Sequence, residues 1–294
     1  MRLDNPSNGP AVMPGVPGLD PESFERLKEF IEQNLGIKIP PSKKVMLESR
    51  LSKRLRALGL SSFEEYCAFT FGPEGYHREI QLLIDAVTTN ETDFFREDAH
   101  YRILAERVLP DLISSGGIED LRLWSVAAST GQEAYTLAMV TEEYRNASRA
   151  RFDYTILGTD VSDAVLRVAS TGVYTERQAE KIPGTLKRRY CLRSKDPDAG
   201  TIRMKAAIRE RIMFRNLNLM NADYGIRRKY HVVFCRNVFI YFDRETQRRV
   251  LSRVHSCMAP GAYLFMGHSE NLSGSDLPLE GVAPAVYRNI GGKR

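Results

Sequence analysis

From Asp20 onward, apolar residues recur at helical spacing. In DPESFERLKEFIEQNLGIKI, Phe24, Leu27, Phe30 and Ile31 share one face behind an aspartate cap and a first-turn proline, and Gly36 ends the run. A second helix is predicted over 42–58, with Leu47, Leu51, Leu55 and Leu58 as its apolar stripe. SSFEEYCAFTF then opens with a serine followed three places on by a glutamate, the pattern of a capping box. An amphipathic stretch over 75–87 completes an all-helical unit.

Beyond Asp98 the pattern changes. HYRILAERVLPDLI predicts a linking helix, and LRLWSVAA a buried strand. Helix 133–146, strand YTILGTD, helix 163–169, strand YHVVFCRN and helix 244–258 follow, and strands alternating with helices imply a parallel sheet with crossovers. AYLFMG and AVYRNI read as a closing antiparallel pair, a common edge for such a sheet. Residues 188–215 break this rhythm, because CLRSKDPDAGTIRM reads as a hairpin around a turn at 196–200. The expected fold is therefore α/β: a Rossmann-like sheet with an antiparallel edge, preceded by a helical domain and carrying a small inserted antiparallel β-subdomain. The expected boundaries are a Pro- and Gly-rich disordered lead over 1–19, a helical domain over 20–90 and the α/β domain over 91–294, with its insertion at 188–215.

Composition narrows the class. The chain has 294 residues, 43% of them hydrophobic and 27% charged, which is ordinary for a globular protein with a real core. Its four cysteines are widely separated and form no CxxC or Cys/His cluster, so neither a disulfide framework nor a metal site is expected. No signal-peptide pattern and no membrane-length apolar run are present, which predicts a cytoplasmic protein without direct membrane insertion. The net charge of +5 permits an acidic partner. An aromatic base-stacking motif is absent, so no nucleic-acid partner is expected.

Candidate chemistry gathers where strands end. In WSVAASTGQEAY a Ser-Thr-Gly turn joins a strand to a helix whose N-terminus offers unpaired N–H groups; it reads equally as a plain tight turn. YTILGTD ends in Asp160, placed either to accept bonds from ribose hydroxyls or to cap the next helix, a job for which Ser162 and Asp163 compete. Glu133 would repel a pyrophosphate but could hold an amino group, or simply favour its helix N-terminus. No GxGxxG is present. A nucleoside lacking phosphates fits better, and S-adenosylmethionine carries both a ribose and an amino group. FCRNVFIYF leaves Arg236, Asn237 and Tyr241 beyond a hydrophobic run, as ligand-side groups or as turn and core residues. TTNETDFFRE crowds hydrogen-bonding side chains against two phenylalanines, an unusual mixture for either a core element or a loop.

Taken in order, TTNETDFFRE, WSVAASTGQEAY, LGTDVSDAVLRVASTGVY, NLNL and FCRNVFIYFD resemble the chemotaxis receptor glutamate O-methyltransferases, the CheR family, from about Ser23 to Tyr287. The resemblance implies an S-adenosylmethionine-dependent protein-glutamate O-methyltransferase. It implies that Asn90, Thr92 and Arg96 reach the cofactor, that Glu133 binds its amino end and Asp160 its ribose, and that Asn218, Leu219, Arg236 and Asn237 line the adenosine side. Tyr241 would sit beside the transferred methyl, Arg96 near the reacting carboxylate, and Phe94 and Phe95 would anchor this polar clamp. Two departures stand out: Gly131-Gln132-Glu133-Ala134-Tyr135 replaces the usual Gly-Glu-Glu-Pro-Tyr, and His231 stands where an aspartate is frequent.

The implied partner is the cytoplasmic domain of chemoreceptors. The 42–58 helix carries Lys43, Lys44, Arg50, Lys53, Arg54 and Arg56 against one acid, Glu48, and Lys43, Arg50 and Arg54 fall on one line beside the leucine stripe. That line is the expected docking face for glutamate-rich receptor helices. The inserted hairpin is the expected site for a receptor tail peptide added as a strand. A nucleic-acid methyltransferase and a non-catalytic S-adenosylmethionine-binding regulator are the competing classes.

Overall fold

A computed structural model describes residues 18–148, 151–270 and 276–291. The chain divides into two compact units at Thr88/Thr89. Of the expected lead over 1–19, residues 1–17 lie outside the described residues. Its predicted end does not hold, because Leu19 is 2% exposed and its N–H donates to Glu48 Oε2 at 3.0 Å, so the fold begins before Asp20.

The first unit contains α1 (Pro21–Leu35), α2 (Lys44–Leu58), α3 (Phe63–Thr70) and α4 (Tyr76–Val87). Asp20 caps α1 by accepting from the Ser23 N–H at 2.8 Å, and Gly36 closes the helix at φ 70°. Phe24, Leu27, Ile31, Leu47, Leu51, Leu55, Leu83 and Val87 form its core, while Phe30 is only half-buried and packs on Phe71 with ring centroids 5.2 Å apart. Ser62 caps α3, but Glu65 reaches back to the Ser61 N–H and hydroxyl, one residue before the cap.

The predicted docking line on α2 needs correction. Arg54 donates through Nε and Nη2 to both carboxylate oxygens of Glu79 at 2.8 Å, and Glu79, at 1% exposure, also accepts from the Tyr66 hydroxyl at 3.1 Å. Arg50 donates to the carbonyls of Val87 and Thr88 at the end of α4. Both arginines tie α2 to α4; the exposed cations of α2 are Lys53 and Arg56.

The second unit is built on a seven-stranded sheet of order β6-β2-β1-β7-β8-β10-β9. Its strands are β1 (Asp120–Ser125), β2 (Asp153–Asp160), β6 (Ile212–Asn216), β7 (Tyr230–Cys235), β8 (Met258–Met266), β9 (Leu279–Ala283) and β10 (Val286–Asn289). Strands β6, β2, β1, β7 and β8 are parallel, and β10 is antiparallel to both neighbours. The central strands are near-continuous apolar runs because helices cover a parallel sheet. Leu121, Leu123, Trp124, Val232, Val233 and Phe234 are all fully buried.

The linking helix is α5 (Asp98–Ile103), a π segment (Leu104–Val108) and α6 (Leu109–Gly116). Helices α7 (Gln132–Ser148), α8 (Asp163–Thr171), α9 (Gly184–Tyr190), α10 (Ala206–Arg209) and α11 (Arg244–Ser256) make the remaining connections.

The insertion is a three-stranded sheet of order β3-β5-β4, from β3 (Val173–Thr175), β4 (Cys191–Arg193) and β5 (Thr201–Met204). Its hairpin lies where the sequence predicts, but its limits do not. A third strand is recruited upstream from GVYT, and 212–215, expected within the insertion, instead belongs to the edge strand β6 paired with β2.

Candidate active site

Four parallel strands, β6, β2, β1 and β7, end on one side of the sheet, and Glu133, Asp160, Asn218, Leu219, Arg236, Asn237 and Tyr241 lie at or just beyond those ends. After β1, the Ala128 N–H donates to Thr159 O and the Gly131 N–H to Ala128 O, folding a turn in which Ser129 has φ 48° and Gly131 φ 95°. A Cβ on Gly131 would lie 2.9 Å from Ala169 Cβ and 3.1 Å from the Tyr174 hydroxyl. The glycine is therefore required by close packing against α8 and β3 as well as by its left-handed backbone.

Asp160 ends β2 at 8% exposure, its Oδ2 accepting the Ser129 N–H at 2.9 Å and its Oδ1 the Ser162 N–H at 3.0 Å. Ser162, not Asp160, caps α8, through the Val165 N–H. These two bonds orient the Asp160 carboxylate at the end of β2. The NLNL segment is tied to the same strand end, since the Leu217 N–H donates to Asp160 O at 2.9 Å. Asn218 then turns back on itself, its Oδ1 accepting the Met220 N–H, and Leu219 is 8% exposed.

Glu133 lies in the first turn of α7, accepting from the Ser125 hydroxyl at 2.7 Å on Oε1 and from Arg236 Nε at 2.8 Å on Oε2. Arg236, 6% exposed, also donates to Arg96 O at 2.8 Å, Glu97 Oε2 at 3.4 Å, His100 Nδ1 at 3.2 Å and the Tyr101 hydroxyl at 3.0 Å. Burial works to lower the pKa of Arg236, but the surrounding Tyr101, Glu133 and Glu97 outweigh it and hold the cation firmly charged. The same burial, reinforced by Arg236, pushes His100 down to about 4. His100 is thus a neutral acceptor at pH 7.

Glu97, His100 and His268 place potential ligand atoms within 4.8 Å of one another. The Arg236 guanidinium already faces two of these groups, and no metal role is assigned to them.

The 89–97 segment is held to this edge. The Ser129 hydroxyl donates to Asn90 O at 2.9 Å, the Phe95 N–H to the Thr136 hydroxyl at 3.3 Å, and Arg96 Nη1 to Glu91 O at 2.9 Å. Phe94 is fully buried edge-on to Tyr174 with centroids 5.0 Å apart, and Phe95 packs on Tyr101 at 5.6 Å. Phe95 and Glu97 both adopt left-handed backbone, at φ 54° and 57°, with Arg96 between them. Such conformations persist where surrounding contacts enforce them, and they cluster at functional sites. Thr92 and Tyr241 are half-buried, Tyr241 in the short helix Phe239–Tyr241 that follows Asn237.

Sequence reasoning missed Glu97, Ser125, Ser129 and Glu270, whose bonds hold these groups. Glu270 is 6% exposed and accepts the N–H groups of Asn237, Phe239 and Gly267. The two sequence departures are absorbed locally. Gln132 is 2% exposed and accepts from the Thr130 hydroxyl, and His231 accepts the Arg122 N–H at 3.1 Å.

Residues 90–285 match the family described as CheR methyltransferase, SAM binding domain, and residues 22–88 match CheR methyltransferase, all-alpha domain. The chain belongs to the CheR methyltransferase family. A chemotaxis protein methyltransferase of Borreliella burgdorferi is 36% identical to it over 91% of this chain and 94% of its own. Chemotaxis protein methyltransferase 2 of Pseudomonas aeruginosa is 38% identical over 90% and 92%. The chain is an S-adenosylmethionine-dependent methyltransferase of chemotaxis.

The donor set of this CheR-family site suits that cofactor. Asp160 and Glu133 place two buried carboxylates beside the ends of β2 and β1, and GxGxxG is absent from the chain.

Proposed function

We propose that this chain transfers the methyl group of S-adenosylmethionine to glutamate side-chain carboxylates of chemoreceptors in the cytoplasm, as part of chemosensory adaptation. The observation that carries the reading is the convergence on one sheet edge of Asp160, Glu133, the Asn218–Leu219 turn and the Arg236–Asn237 loop, with the 89–97 segment bonded back to Ser129.

The bound cofactor supplies a methyl group activated by its sulfonium charge. A glutamate side chain, with a reference pKa of about 4.3, is already an ionised nucleophile at neutral pH, so no general base is needed. The chain's task is placement. In this reading Asp160 accepts the ribose hydroxyls, Glu133 receives the amino end, and Asn218, Leu219 and Asn237 line the adenosine. Asn90 and Thr92 contribute from the 89–97 segment, and Arg96 and Tyr241 orient the substrate carboxylate. Arg236 acts mainly by holding Glu133 and the Arg96 carbonyl. The receptor helices dock on α2 through Lys43 with the exposed Lys53 and Arg56, Arg50 and Arg54 being engaged with α4. A receptor tail peptide adds as a strand to the inserted sheet, whose outer strand β4 exposes Leu192 by 53%.

The test is calorimetric titration with S-adenosylmethionine and S-adenosylhomocysteine, then transfer of labelled methyl to membranes carrying chemoreceptors. Binding with base-labile label is expected, as for an ester. Binding with base-stable label would overturn the glutamate assignment, and failure to bind either nucleoside would overturn the site. Arg96→Ala is expected to lower kcat, and full turnover with unchanged cofactor affinity would remove Arg96 from its role.

A further inference from the structure

Glu270 lies beyond β8, and its carboxylate bonds to main-chain amides. Oε2 accepts the N–H of Asn237 at 2.9 Å and of Gly267 at 2.8 Å, and Oε1 accepts the N–H of Phe239 at 2.8 Å. One buried side chain therefore gathers donors from the end of β8 and from the loop that leaves β7. That loop carries Arg236, Asn237 and Tyr241.

Two further observations show that the contact is closely fitted. Asn237 is held at φ 57°, a left-handed conformation that sets the direction of both its side chain and the following turn. A Cβ on Gly267 would lie 2.8 Å from both Asn237 Nδ2 and Glu270 Oε2, so only glycine lets the β8 end approach this closely. From the other side, Asn237 Nδ2 lies 3.4 Å from Glu97 Oε1.

We infer that Glu270 is a positioning residue for methyl transfer: its carboxylate holds the Asn237–Phe239 main chain so that Asn237 and Tyr241 present the geometry the reaction needs. The inference rests on the reading of Asn237 and Tyr241 as site residues. The geometry suits a carboxylate, because both oxygens accept main-chain N–H groups. Glutamine has the same shape, but its amide NH2 would face at least one N–H donor, breaking that bond and setting two donors together. Aspartate is one methylene too short to span the same donors.

The test compares wild type with Glu270→Gln and Glu270→Ala as full-length proteins. The readouts are S-adenosylhomocysteine affinity by calorimetry, and kcat and KM for methyl transfer to receptor membranes. Val254→Ala, which truncates a fully buried side chain of α11, serves as a stability control. Removing a hydrogen-bonded charged partner is expected to weaken nucleoside binding by roughly tenfold or more. It should also lower kcat at saturating cofactor, while Val254→Ala at a similar loss of melting temperature leaves both near wild type. If the Glu270 variants regain wild-type kcat once saturated, or if Val254→Ala shows the same losses, Glu270 is merely structural and the inference is overturned. If wild type itself binds no nucleoside, the proposed function fails instead.

Discussion

Arg54→Ala tests whether α2 uses this cation inwardly or outwardly. The bidentate pair with Glu79 spans two helices, and Glu79 is 1% exposed and also accepts from the Tyr66 hydroxyl. Removing Arg54 leaves a buried carboxylate without its counter-charge, a change that typically costs about 3–5 kcal/mol. A loss of about 3 kcal/mol corresponds to a more than hundredfold rise in the open population. Native-state hydrogen exchange on the full chain, followed in peptides from α2 and α4, measures this directly. Those amides should exchange about a hundredfold faster in Arg54→Ala, while β1 and β7 amides stay protected. Arg54→Met combined with Glu79→Leu should recover most of the loss, since replacing a buried ion pair by apolar groups is often near neutral. If α2 exchange in Arg54→Ala stays at the wild-type rate while KM for receptor membranes rises severalfold, the inward assignment is refuted and Arg54 is a docking cation.

Three further outcomes follow from the buried groups. His100, with its pKa lowered to about 4 by burial and Arg236, binds fewer protons folded than unfolded below pH 6.5, so its contribution is lost as pH falls from 6.5 toward 4. At pH 5 this amounts to about 2 kcal/mol for His100 alone, with His231 acting in the same sense, and denaturant titrations at pH 7 and pH 5 would show it. Gly131→Ala forces a Cβ into 2.9 Å contact with Ala169 at φ 95°, and should cost about 1–3 kcal/mol; thermal unfolding with and without S-adenosylhomocysteine would show reduced stability and a smaller ligand-induced shift. All four cysteines are buried with thiol pKa values pushed up by desolvation, so a thiol-reactive disulfide at pH 8 should label none of them in minutes in the native protein and all four in denaturant.

Periodicity made the helical unit and the parallel strands legible, because Phe24, Leu27 and Ile31 or Leu121, Leu123 and Val232 must repeat with the element that buries them. Short strands escaped. Val173–Thr175 has three residues and no alternation to detect, and Leu279–Ala283 is half exposed at the sheet edge. The positions of the outer groups were legible through motifs, which put Asp160 and Asn237 at strand ends and Glu133 in the first turn of the helix after β1. Their supports were not. Glu270 binds main-chain N–H groups, which impose no side-chain pattern, and Arg54 pairs with a residue 25 positions away on another helix. A cation on a helix face reads the same whether its partner is solvent, a receptor or a buried glutamate.

The inserted sheet closes on itself at its base. The Met204 N–H donates to Gly172 O where the excursion leaves and returns, and the Glu176 N–H donates to Gly200 O at the other end of the β3–β5 pairing, before α10 leads into β6. Closing a longer loop costs little more than closing a short one, about 0.6 kcal/mol for each doubling of length. The β4–β5 hairpin can therefore be lengthened or shortened at its turn while β3 stays packed against the Gly131 turn and β2 and β6 keep their register.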